Sequence, residues 1–379
     1  MSLFTHRAYW RWSTGVQFAR LPATMAPLAF TLLTTATTGS YRLGGVLMSV
    51  YVAAEMVCAV PVGRLLDRVG PARGLPTLLL LTAAGFVAVA LAADAPAPVL
   101  VAMVVLPGIA GGALSGGFRT LLAETVDDEL LPRAISVDAM ILEGVLIGGP
   151  ALVALLDLAG TFVPLAAMAV ACVAAAALVP RRTGERERVE SGDDVPPARL
   201  VSYLPWLCCA FTVGLLLSTI EVAPLPLVQR LGAPETTAPV VIAVLSGASI
   251  AGSALYAWRG KTGDPRLFLA GFVVGGLALA ADLGWAGLLG SVAVIGACTG
   301  PLVAATSVNL QRLLPKNRRS AGFSLSFTVQ AGGFGLGSLA VGVLPLWLAP
   351  LFGVFAAAIA GAMLVAKPAR AIGTMSVTS

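Results

Sequence analysis

Charge is what this 379-residue chain has least of: acidic and basic residues together make up 11%, where a soluble protein carries roughly a quarter. Hydrophobic residues reach 58% and the mean hydropathy is +0.90, so most of the surface must face lipid. Histidine is nearly missing. His6 is the single one and stands in the N-terminal tail, which excludes a histidine relay or a histidine-held metal in the interior. The five cysteines, Cys58, Cys172, Cys208, Cys209 and Cys298, match no metal or disulfide spacing and read as small packing residues. There is no nucleotide-binding loop, serine elbow or zinc helix, so no cofactor is expected and ATP hydrolysed by this chain is not the energy source. No nucleophile–base pair or metal constellation suggests an enzyme. The net charge of +5 comes without basic–aromatic clusters and gives no sign of a nucleic-acid partner. Nor does the first apolar run end in a small-residue cleavage site, so no cleavable leader is expected.

Apolar runs are what remain. Stretches of about twenty residues are needed to cross about 30 Å of hydrocarbon, and they recur at 10–36, 41–63, 74–94, 98–122, 135–156 and 159–179. After a polar break they resume at 201–229, 236–258, 266–283, 285–310, 320–343 and 345–366. Backbone groups cannot stay unpaired in lipid, so these spans must be helices. The chain is thus predicted to be an all-α polytopic membrane protein of twelve transmembrane helices. Numbered this way, all but three of the 24 basic residues fall on one side; the exceptions are Arg20, Arg42 and Arg230. Basic loops stay in the cytoplasm, so both termini are expected there. Arginine far exceeds lysine, and alanine and glycine abound, which suggests a GC-rich bacterium and its inner membrane.

Two halves are visible. The mixed-charge, proline-bracketed segment 181–200 cannot bury apolar surface and reads as a cytoplasmic linker, leaving bundles at 1–180 and 201–379. Ala26-Pro27-Leu28 is echoed by Ala223-Pro224-Leu225, and Leu130-Leu131-Pro132-Arg133 by Leu313-Leu314-Pro315-Lys316. A glycine-rich helix follows the second element each time, so the halves read as a duplication.

Between the second and third runs lies a charged, glycine-punctuated turn, with Gly63, Asp67, Arg68, Gly70 and Arg73. Gly63-Arg64-Leu65-Leu66-Asp67-Arg68 fits G-x-L-x-D-R in full, and the trailing Gly70 and Arg73 follow with one extra residue. With six plus six helices and a central cytoplasmic loop, the chain resembles the major facilitator superfamily over nearly its whole length. That resemblance implies two pseudo-symmetric six-helix bundles rocking about a central cavity. It also implies that Asp67 latches the halves on the cytoplasmic side, with Arg119, Glu124 and Arg133 joining an ion-pair network there. A basic loop that merely obeys the orientation rule is the plainer alternative.

The fifth span carries Gly144, Gly148, Gly149 and Pro150. Small residues allow helices to cross closely and proline gives up a backbone hydrogen bond. This partly resembles the glycine-proline motif of the proton-exchanging export branches, although Ala151-Leu152 replaces its trailing glycine pair. Plain helix packing is the alternative.

Buried charge points to mechanism, because an ionised side chain at the bilayer centre costs about 2.5–3.5 kcal/mol and usually faces a partner or a cavity. Arg20, Glu55 and Glu143 each lie about ten residues from the inner end of their spans, one common depth at about 1.5 Å per residue. Ser13, Gln17, Arg20, Thr24 and Thr31 trace one face of the first span. Tyr51 stands one turn before Glu55; Asp138 and Glu221 complete the candidate coupling carboxylates. Thr299, Thr306 and Asn309 of the tenth span and Gln330 of the eleventh offer uncharged groups to a substrate. A carboxylate held between burial and an arginine can take up and release a proton; a fixed Arg20–Glu pair holding helices is the bland reading. The mostly aliphatic walls suit small amphipathic or apolar molecules. A monomeric proton-coupled exporter of such substrates is therefore expected. An uptake symporter or a non-transporting membrane sensor is the alternative.

Overall fold

The computed structural model describes residues 7–39, 41–127, 129–180, 200–234, 237–259 and 263–366. Among them are fourteen α-helices: α1 (Arg7–Thr38), α2 (Tyr41–Val69), α3 (Pro71–Leu91), α4 (Ala97–Gly111), α5 (Leu114–Thr125), α6 (Leu131–Asp157) and α7 (Val163–Leu178) in the first half. The second half holds α8 (Leu200–Glu221), α9 (Pro224–Arg230), α10 (Ala238–Arg259), α11 (Pro265–Ala280), α12 (Gly284–Leu313), α13 (Arg319–Val343) and α14 (Ala349–Ala366), with a 3-10 turn at Lys316–Arg318. α4 with α5, and α8 with α9, each make up one expected span, which restores the twelve. Eight spans are long and apolar enough to cross a bilayer, and α7 and α11 are shorter apolar helices. The segment 181–199 predicted as linker lies outside the described residues.

Two boundaries differ instructively from the sequence expectation. The charged stretch after Gly63 is not a loop, because α2 continues to Val69 and α3 begins at Pro71. Gly70 alone makes the turn, at φ +90, a left-handed conformation that side-chain-bearing residues rarely adopt, and proline is pre-set for the helix start that follows. The fourth span, expected to be continuous, breaks at Gly112-Ala113.

Contacts divide the chain into two compact units. One comprises Met1–Ala198, Ser253–Thr262 and Ser307–Val329; the other comprises Arg199–Gly252, Gly263–Thr306 and Gln330–Ser379. In the first unit α7 packs on α1 and α3, α4 on α2 and α3, and α6 on α1. Its core gathers Met25, Phe30, Leu47, Tyr51, Phe86 and Met168. In the second unit α14 packs on α8 and α11, which repeats the α7 arrangement one half later, around Val213, Leu216, Phe272, Ile295 and Leu302. Glycines set the close crossings in both. Gly108 of α4 meets the backbone of Tyr51, and Gly296 of α12 meets that of Leu245. Outward, large apolar side chains such as Val57, Leu91, Leu155, Val170 and Phe355 are exposed, as a lipid-facing surface requires and a water-facing one does not.

Candidate transport site

α1 carries the polar stripe, and its neighbours fix how that stripe is aimed. The Tyr9 hydroxyl donates to the carbonyl of Ala134 at 3.2 Å and the Trp12 indole to that of Phe118 at 2.8 Å. The Arg11 guanidinium reaches the carbonyls of Ala177, Leu178 and Val179 at the end of α7. So anchored to α5, α6 and α7, α1 presents Gln17 and Arg20 to Asp138 of α6. Arg20 closes on that carboxylate with both terminal nitrogens, Nη1 to Oδ1 at 2.6 Å and Nη2 to Oδ2 at 2.9 Å. Gln17 Nε2 donates to Oδ1 at 2.9 Å. Asp138 is 1% exposed, so the pair is the bidentate, desolvated kind in which geometry matters most.

Arg119 belongs to the same cluster. Its Nη2 lies 3.8 Å from Asp138 Oδ2 and its Cζ sits 6.0 Å from the centre of the Phe327 ring. It stands one residue before Thr120, which meets Ser320 beside Asp67. Glu55 is half-buried in α2, one turn from Tyr51, which is buried. Glu143 is half-buried in α6, five residues past Asp138 and therefore about 140° around the helix from it. The carboxylate that meets Arg20 is Asp138.

Asp67 has a different task. Its two oxygens accept from the backbone N–H groups of Ser320 at 2.8 Å and Ala321 at 3.0 Å. These are the second and third residues of α13, where N–H groups have no partner within the helix and the dipole favours a carboxylate. The seat for that helix start is made of small residues. Gly63 lies against Ala321, and Gly116 of α5 against Ser320 and Ser324. Ser320 Oγ also donates to Thr120 Oγ1 at 3.2 Å. Arg64, Arg68 and Arg73 are exposed. Sequence reasoning missed Ser320, Ala321, Thr120 and Phe327. The Pro315 that ends α12 and the Arg319-Ser320 start that follows were a readable helix-start signal, but nothing local named Asp67 as its cap.

A Cβ at Gly116 would meet the Ser320 carbonyl and the Ser324 backbone nitrogen at 2.6 and 2.7 Å, so something must shift. Gly116→Ala is expected to lower stability by about 1–3 kcal/mol, the ordinary cost of overpacking. Thermal denaturation of the purified protein measures it; an unchanged midpoint removes this seat from the account.

The remaining candidates are spread over several helices. Of the glycine-proline set on α6, Gly149 packs against Thr24, Gly144 and Gly148 have open space where a side chain would be, and Pro150 is exposed. The second unit repeats the crossing: Gly333 and Gly337 of α13 lie against Phe211, Leu215 and Ser218 of α8. Thr299 and Thr306 are buried on α12, Thr299 Oγ1 donating to the Ile295 carbonyl at 2.9 Å, while Asn309 and Gln330 are half-buried. Glu221 ends α8 and is exposed.

The sequence model of the major facilitator superfamily matches residues 14–338. The chain belongs to the major facilitator superfamily. An uncharacterized MFS-type transporter of Sinorhizobium fredii, y4rN, is 27% identical over 369 residues, covering 86% of this chain and 85% of that one. Among solved structures, a bacterial homologue of the iron transporter ferroportin in an outward-facing state superposes with a TM-score of 0.79 at 17% identity, over 95% of this chain and 99% of that one. The proton:xylose symporter XylE gives 0.70 at 13% identity, over 96% of each chain. At such identities these two speak for the fold alone. As a member of this superfamily the protein is a multi-pass membrane transporter and not an enzyme, with the twelve-helix fold.

Proposed function

We propose that this transporter exports small amphipathic or apolar molecules in exchange for protons, acting as a monomer in a bacterial inner membrane with both termini in the cytoplasm. The observation that carries the reading is the enclosed Arg20–Asp138 pair, closed by two hydrogen bonds at 2.6 and 2.9 Å between the first and fifth spans. A carboxylate parted from its arginine in apolar surroundings takes up a proton, and one rejoined to it lets the proton go. If the conformational cycle opens and closes this pair, substrate movement and proton movement are tied together. Gln17, Thr24, Tyr51, Thr299, Thr306, Asn309 and Gln330 supply a sparse set of polar groups to the path. Gly149 and Pro150 on the helix that bears Asp138 favour export over uptake, since they repeat part of the export motif.

Protein reconstituted in liposomes tests this. In the Asp138→Asn variant, movement driven by a pH gradient is expected to stop while exchange of substrate across the membrane without a gradient continues. Glu143→Gln, run beside it, decides whether Glu143 shares the coupling: it does if the gradient-driven rate falls on the order of tenfold, the size of one lost charge-assisted interaction. Gradient-driven transport that survives in Asp138→Asn at the parent's rate sinks the coupling proposal.

A further inference from the structure

The charge cluster on α1, α5 and α6 does not balance. Asp138 takes hydrogen bonds from Arg20 at 2.6 and 2.9 Å and from Gln17 at 2.9 Å. Arg119 is left with one approach to that carboxylate, at 3.8 Å, which is beyond hydrogen-bonding range. Its Nη1 is enclosed and has no hydrogen-bond partner among the described residues, although Arg119 as a whole is only 5% exposed. The Phe327 face at 6.0 Å offsets a small part of the charge. Two guanidinium groups thus share one carboxylate, and the surplus positive charge sits where an uncompensated ion costs several kcal/mol.

That surplus is a specification for a ligand. One unbalanced charge calls for a monoanion. A guanidinium edge matches the two in-plane oxygens of a carboxylate better than a point cation does. An aromatic ring on the same guanidinium suits an apolar body attached to the acid. We propose that Arg119 is the recognition site for the carboxylate of an amphipathic monocarboxylate, whose negative charge completes the Arg20–Asp138–Arg119 cluster. The assignment rests on the transport reading above and narrows its substrate class to organic acids.

The full-length protein, purified in detergent, is melted with four probes: 1-naphthoate, 1-naphthylmethylammonium, 1-naphthalenemethanol and inorganic phosphate. Naphthoate alone is expected to raise the midpoint at millimolar concentration. In Arg119→Gln its binding weakens on the order of tenfold or more, the loss of a charge-assisted hydrogen bond, and Arg119→Lys keeps part of it. Without ligand, Arg119→Gln melts no lower than the parent, because Asp138 stays closed on Arg20 and only the surplus charge is removed. The assignment falls if the ammonium or the alcohol protects as well as naphthoate, or if phosphate does. It falls equally if naphthoate has no effect, if Arg119→Gln retains it, or if ligand-free Arg119→Gln melts well below the parent, as a merely structural arginine would require. Liposome assays separate this from the transport reading. Gradient-driven movement of the ammonium but not of naphthoate sinks the carboxylate site and leaves transport standing. Naphthoate that binds through Arg119 yet never crosses with any gradient keeps the site and removes the proton-driven transport.

Discussion

Asp138→Ala is expected to destabilise the protein by about 3–5 kcal/mol, the cost of stripping the partner from a buried charge. The effect is large because the carboxylate is 1% exposed and answers two arginines, Arg20 at 2.6 Å and Arg119 at 3.8 Å. Without it, two guanidinium groups share an apolar interior with no counter-charge, and Gln17 loses its acceptor. The double variant Arg20→Met with Asp138→Leu removes the pair together and leaves packing in its place. Such replacements are often neutral or better, so it is expected to recover most of the loss. Denaturation midpoints of the parent, Arg20→Met, Asp138→Leu and the double variant give the coupling directly. Additive single-variant losses show that the two side chains do not depend on each other, which contradicts the bidentate pair.

Asp67→Asn is expected to leave the protein in the membrane and lower its transport rate on the order of tenfold or more. An amide keeps one acceptor, but its NH2 then confronts the second of the two N–H groups, Ser320 at 2.8 Å and Ala321 at 3.0 Å. Each charge-assisted hydrogen bond contributes about 1.5–3 kcal/mol. Losing one therefore moves a two-state equilibrium by a factor on the order of ten to a hundred. Initial rates in liposomes at matched protein content measure it, with Asp67→Glu as the variant that keeps the charge. Parent-like rates in Asp67→Asn remove the cap from the transport cycle and leave it a matter of topology.

Much of the architecture could be read without coordinates. Long apolar runs, the sidedness of arginine and the Gly63–Arg73 signature are local features, and membrane insertion acts on local features. Gln17 and Arg20 were legible as a stripe because both lie on one helix. Their partner was not. Asp138 is 118 residues from Arg20, and one sequence holds no record of which distant carboxylate a given arginine meets. That is why Asp138 stood among several candidate carboxylates, with Glu55, Glu143 and Glu221, and not as the partner of Arg20. The break at Gly112-Ala113 also escaped notice, since a glycine-rich stretch in a membrane helix is as often a crossing point as an interruption. The extension of α2 to Val69 was hidden by charge, which reads as loop in a greasy chain although the same residues form good helix.

That interruption has a mechanical consequence. It marks off the 12 residues of α5 within the continuous Ala97–Thr125 span, with Gly116 and Thr120 bearing on the start of α13 and Arg119 directed at Asp138. Whatever lifts α13 off its seat takes away the surface that α5 leans on. Rolling α5 would swing Arg119 relative to the carboxylate at the cost of the hydrogen bond from the Trp12 indole to the Phe118 carbonyl. The seat of α13 and the Asp138 carboxylate are thereby joined by about three turns of helix, a lever short enough to carry displacement with little lost to bending.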